Sequence, residues 1–87
     1  MSVGSTLEQA RVAAGLTLED LSQISKLRAS ILGAMEADDF SHCGGLVYAR
    51  GQLRALAPVL NLDPDVLVDQ FGLEVEEGLH GSASDSE

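Results

Sequence analysis

His42 and Cys43 stand side by side in the run Phe40-Ser41-His42-Cys43-Gly44-Gly45, and the second histidine, His80, lies far off near the C-terminus. Imidazole and thiolate are zinc ligands, but a tetrahedral site needs further ligands at short, paired spacings. None accompanies these three residues, so no metal site is expected. Asp38-Asp39 and Glu76-Glu77 are the paired acids. Adjacent positions do not converge on one point of a helix, and these carboxylates read as solvated charge. No nucleophile–base pair and no glycine loop able to cradle a phosphate is present. The chain is therefore not expected to be an enzyme, and no cofactor or small-molecule substrate is implied. What remains is binding chemistry, in two places: Lys26, Arg28, Ala29 and Ser30, and then Tyr48, Arg50, Gln52 and Arg54.

At 87 residues the chain makes one domain, which buries about 60% of its unfolded surface. Apolar residues are 45% of it and aromatics only 3%. A core of Leu, Ile, Val and Ala suits packed helices. No apolar run reaches the roughly 18 residues of a membrane span, and the opening Met1 to Arg11 has no signal-peptide character. A lone Cys43 forms no internal disulfide, which places the chain in a reducing cytoplasm. The net charge is −9. Residues 1–72 hold all five basic side chains against nine acidic ones, and the other five acids lie in residues 73–87. An acidic body repels a phosphate backbone. Four of the five cations nevertheless fall between Lys26 and Arg54.

The elements that would position these groups are short. Ser5 or Thr6 caps a first helix of about 6–14, with Glu8 at the third position of a capping box and Gly15 as the left-handed stop. Leu7, Ala10, Arg11 and Ala14 share its inner face. Thr17 caps a second helix of about 17–24, with Glu19 and Asp20 in its first turn, and small Ser22 allows close approach of the next helix. A third helix covers about 28–37, where Asp38-Asp39 suit a helix C-terminus poorly. Leu16, Leu18, Leu21 and Ile24, then Leu27, Ile31, Leu32 and Met35, carry the helical period of a helix-turn-helix. After a loop at Phe40–Gly45, a fourth helix of about 46–60 points Leu46, Ala49, Leu53, Leu56, Ala57 and Leu60 inward. Pro58 kinks or frays its end, and Asn61 is its C′ residue. Asp63-Pro64 opens a fifth helix of about 64–71, with Val66, Leu67 and Phe71 inward, ended by Gly72. Residues 1–72 form the domain. Residues 73–87 form an acidic tail expected to be disordered.

An all-α chain of five short helices with a helix-turn-helix second and third resembles the lambda-repressor-like domains. Leu16-Thr17-x-Glu19-x-Leu21-Ser22, Leu27, Ile31 and Met35-Glu36 look like their Xre-type branch. Leu46-Val47-Tyr48-Ala49-Arg50-Gly51-Gln52-Leu53-Arg54, followed by Leu60-Asn61-Leu62-Asp63-Pro64, resembles the N-terminal cytoplasmic domain of the RodZ cell-shape family. The resemblance covers residues 5–72. It implies that Arg11 pairs with Glu36 inside the fold. It also implies docking of the actin-like filament protein MreB through exposed aromatics on the fourth helix. Tyr48 occupies the first of those aromatic positions, but Gln52 stands at the second. In that family a basic segment and a membrane span follow the domain. Neither lies in residues 73–87, which leaves open a piece of a longer membrane-anchored protein or a free-standing relative.

Two surfaces thus compete. As a partner-docking face, the fourth helix offers Tyr48, Gln52 and Ala55 outward, with Arg50 and Arg54 beside them; Tyr and Arg are enriched at interface hot spots. As a DNA reader, the third helix offers Arg28 to guanine and Ser30 to either role. Ala29, Gly33 and Ala34 add nothing polar there. The docking module is the leading reading, an Xre-type transcription regulator the alternative, and a domain that merely dimerises the third.

Overall fold

Helix α1, Val3–Ala13, begins where the backbone N–H groups of its first turn find oxygens. Ser2 is the N-cap. Its Oγ accepts from the Ser5 N–H at 3.1 Å, and Ser5 Oγ accepts from the Ser2 N–H at 3.1 Å, a capping box with serine at both ends. The Val3 N–H donates to the Glu74 carboxylate at 2.9 Å, and the Gly4 N–H donates to Asp38 Oδ1 at 2.8 Å. The orphan donors of this helix end are thereby satisfied from two other elements. The helix consequently starts three residues before the expected Thr6, and Val3 is fully buried.

The computed structural model describes residues 2–75 with their side chains, and records the backbone of the last helix to Ser86. The order is α1, α2 (Leu18–Ser25), α3 (Ala29–Glu36), a single 3₁₀ turn (Ser41–Cys43), α4 (Leu46–Val59) and α5 (Pro64–Ser86). Among the described residues there is no strand. The molecule is the expected all-α domain.

Three helix ends share one device. The Leu16 N–H donates to the Arg11 carbonyl and the Gly15 N–H to Val12, with Gly15 at φ +74°. The same double bond pattern ends α3 (Asp39 to Ala34, Asp38 to Met35) and α4 (Leu62 to Ala57, Asn61 to Pro58). These are Schellman motifs with Gly15, Asp38 and Asn61 at the left-handed C′ position. Asp38 thus does not oppose the α3 dipole from within the helix. It turns left-handed and delivers its carboxylate to the N-terminus of α1. α4 continues unbroken through Pro58, because a proline in the last turn removes only one bond.

The core gathers Leu7, Leu21, Leu32, Met35, Leu53, Leu56 and Phe71 from all five helices. Phe40 closes one side, its ring edge-on to Phe71 with centroids 4.8 Å apart. α5 packs mainly along α4, and α1 along α3. Four expected inner positions are outside. Ala14 is exposed beyond the last turn of α1, Ile24 at the end of α2, Leu46 at the first residue of α4, and Val66 on the outer side of α5. On α5 the buried arc runs Leu67, Val68, Phe71 and Val75, and Val66 lies off it. Gly72 does not end that helix. The chain passes through it, and Glu74 and Val75 engage the body of the domain. The disorder expected for the rest of the tail concerns residues 76–87, outside the residues with described side chains.

Candidate protein-docking site

Gly44 at φ +89° and Gly45 at φ +121° turn the chain sharply before α4, conformations that side-chain-bearing residues rarely adopt. The turn leaves the first three residues of α4 without cover. Leu46 is 42% exposed, Val47 77% and Tyr48 67%. A Cβ on Gly44 would stand 3.7 Å from Tyr48 Cδ2, an ordinary contact, so the position favours glycine through its φ of +89° and not through the Tyr48 ring. Three consecutive apolar residues at a helix start, all accessible, form the kind of patch that marks an interaction surface.

At roughly 100° per residue the outermost line of α4 is Val47, Gly51 and Ala55. All three are exposed. Tyr48 borders this line on one side, and Arg50 and Arg54 border it on the other. The structure therefore separates the tyrosine from the two arginines across the exposed arc. Arg54 Nη1 bonds Asp65 Oδ1 at 3.1 Å, an exposed pair of small energetic value. Among the described residues Arg50 has no carboxylate partner. Gln52 is not the outward anchor that its position suggested. It is half-buried, its Nε2 donates to the Cys43 carbonyl at 3.5 Å, and its Oε1 is buried with no partner among the described residues. Sequence reasoning missed Leu46 and Val47 as surface. The signal was the glycine pair, whose turn directly precedes the exposed first residues of α4.

On α3 the candidate reading face is sparse. Lys26, at φ +66°, and the N-cap Arg28 are exposed with Ser30, while Ala29 is half-buried. Gly33 faces α2, where a Cβ would meet Leu18 Cδ1 at 3.6 Å. At the start of α2 the Thr17 hydroxyl and the Asp20 carboxylate cap each other's backbone N–H at 3.0 Å. Those bonds hold the Asp20 carboxyl below its usual range, so it stays charged.

Arg11 lies under this motif. Its Nε donates to Glu36 Oε2 at 2.7 Å, its Nη2 to Glu36 Oε1 at 3.1 Å, and its Nη1 to the Leu16 carbonyl at 2.9 Å. The two side chains are only 14% and 10% exposed. The hydrogen bonds to Glu36 raise the guanidinium's already high pKa. The pair ties α1 to α3 and to the turn before α2. His42 Nε2 sits 3.6 Å from Asp39 Oδ2, and burial together with Asp39 pushes the Cys43 thiol up, away from reactivity. Among the described residues no three His, Cys, Asp or Glu side chains group as metal ligands. No described helix is long and apolar enough to cross a membrane.

Five helices, the α2–turn–α3 pair and the Arg11–Glu36 tie define a helix-turn-helix domain. Residues 6–67 match the helix-turn-helix domain family, and the chain belongs to it. The cytoskeleton protein RodZ of Streptococcus pneumoniae (strain ATCC BAA-255 / R6) is 33% identical over 70 residues, which is 80% of this chain and 25% of that protein. The chain is thus a RodZ-like helix-turn-helix domain, spanning about a quarter of its relative's length. No solved structure matches it.

Proposed function

We propose that this domain is a non-enzymatic docking module for a cytoskeletal, cell-shape protein, and that it holds its partner through the exposed first turns of α4. The observation that carries the reading is the run Leu46-Val47-Tyr48, accessible at the start of one helix of a RodZ-like domain. Each of these side chains contributes about 1.5–3 kcal/mol if a partner buries it fully. Tyr48 adds a hydroxyl at the rim, and Arg50 supplies an uncommitted charge for an acidic partner face. Gln52 supports the turn from beneath and contributes little contact, in keeping with its half-buried place. An MreB-like actin homologue is the first partner to try. The module works in the cytoplasm, free or as the cytoplasmic part of a membrane-anchored protein.

The test is co-sedimentation of the 87-residue chain with assembled MreB filaments. Tyr48→Ala should weaken capture about tenfold or more, as expected for a hot-spot aromatic, with an unchanged helical circular-dichroism spectrum. Val47→Asp should do the same. If capture survives both substitutions and Arg50→Ala as well, α4 is the wrong surface.

The DNA-regulator alternative has Lys26 and Arg28 in its favour, since neither has a carboxylate partner among the described residues. Against it stand the exposed Glu19 and Asp20 at the start of α2, the helix that crosses the phosphate backbone in such complexes. A low-salt mobility-shift titration with bulk duplex DNA should show no complex.

A further inference from the structure

A cleft of about 350 Å³ lies between α3 and the 3₁₀ turn, lined by Arg28, Ser30, Ile31, Ala34 and His42. It lies on the face that a helix-turn-helix protein would present to DNA. Here α3 contributes the exposed Ser30 and the half-buried Ala34, and the exposed His42 of the following turn lines the cleft with them. The result is a recess, not a ridge. Base edges lie deep in a groove of the duplex and are read by side chains that protrude into it. A recess accepts the opposite shape, a side chain or short segment protruding from a partner.

Its chemistry is equally directed. On a chain of net charge −9, the polar residues lining this cleft are Arg28, Ser30 and His42, beside the apolar Ile31 and Ala34. Arg28 has no carboxylate partner among the described residues, and its five donors suit a carboxylate bidentately. As N-cap of α3 it provides no side-chain acceptor to the first-turn N–H groups, which leaves that end of the helix positive. None of the five lining residues is acidic; Asp39 lies outside them, 3.6 Å from His42 and bonded to Ser41 at 2.6 Å. The helix-turn-helix cleft combines the apolar Ile31 and Ala34 with one fixed cation, Arg28.

We infer that the cleft between α3 and the 3₁₀ turn is a second docking site, which takes an acidic, leucine-bearing segment of a protein partner. Arg28 holds a carboxylate of that segment, Ile31 and Ala34 receive an apolar side chain, and His42 and Ser30 add hydrogen bonds at the walls. The site is independent of α4, whose residues it does not share.

The experiment is an amide chemical-shift titration of the 87-residue chain with the capped peptide Asp-Glu-Leu-Asp-Glu-Leu, alongside its Asn-Gln-Leu-Asn-Gln-Leu counterpart and a short DNA duplex. Saturable shifts centred on Arg28, Ser30, Ala34 and His42 are expected with the acidic peptide and not with the neutral one. Arg28→Ala should weaken binding about tenfold, the loss of one charge-assisted bond. Ala34→Leu, which fills the floor without touching a charge, should weaken it comparably, and Tyr48→Ala should leave it unchanged. Absence of shifts overturns the inference, as do shifts insensitive to both cleft substitutions. Tighter binding of the duplex through Arg28 overturns it in favour of nucleic acid.

Discussion

Arg11 and Glu36 join helices through a bidentate contact that is largely out of water. Such a pair adds little to stability against an apolar substitute, but removing one partner strands the other charge. Glu36→Gln keeps the shape and leaves the guanidinium unbalanced, so it should cost about 3 kcal/mol in a urea titration. For a domain whose total stability is about 4–13 kcal/mol, that is a large loss. Asp20 and Asp39 act on pH dependence. Both carboxyls are held below their ordinary value of 3.8, Asp20 by Thr17 and Asp39 by Ser41. A depressed folded pKa gives stability that is fully present above the ordinary value and lost as pH falls through the folded one. The thermal midpoint should therefore decline as pH is lowered below about 4, and Asp20→Asn should flatten part of that decline.

The start of α1 shows how one element depends on others. Its first N–H groups point at the carboxylates of Asp38, just beyond α3, and of Glu74 in α5, and Gly4 lies against the end of α3 without a side chain between them. A Cβ at Gly4 would stand 2.5 Å from the Glu36 carbonyl oxygen and 2.7 Å from that of Met35. Neither is a side chain that can swing away. Gly4→Ala, normally favourable in a helix, should here destabilise by about 2–3 kcal/mol through overpacking, measurable as a lower urea midpoint with unchanged slope. Gly15→Ala meets no neighbour, and its cost comes from φ +74° alone. In the middle of the chain α4 tolerates Pro58 because the residue falls in its last turn.

For the molecule as a whole, the important extension is α5 beyond Gly72. Glu74 caps α1 and Val75 packs on the core, so the two ends of the domain are fastened to one another. Truncation after Gly72 should lower stability by about 2 kcal/mol, the worth of a charge-assisted cap and a partly buried valine. In a domain of this size that corresponds to a fall of about 10 °C in Tm. The same fastening has a functional side. If a longer chain continues from α5, force or displacement on that helix reaches α1 through Glu74, and a calorimetric comparison of Glu74→Gln with the parent chain tests the strength of that joint.

Local chemistry made much of this readable in advance. Thr17-x-x-Asp20, Gly15, Asn61 and Asp63-Pro64 each specify a helix end through bonds or backbone angles confined to a few residues, and each is found where the pattern places it. The periodic leucines of α2 to α4 determined which sides of those helices meet. What sequence could not decide were ends and exposures that depend on distant partners. Ser2 won over Ser5 as the first cap because Glu74 and Asp38 supply acceptors from distant parts of the chain. Gly72 did not stop α5 because Val75 repeats the Leu67 and Phe71 spacing and finds core to cover. Leu46 and Val47 join the outward Tyr48 as surface in the first turn of α4, directly after the two-glycine turn. The cleft beside α3 is lined in part by His42, which only the folded chain brings there from the 3₁₀ turn. Short-range bonds are written in adjacent residues, whereas burial is a property of the assembled helices.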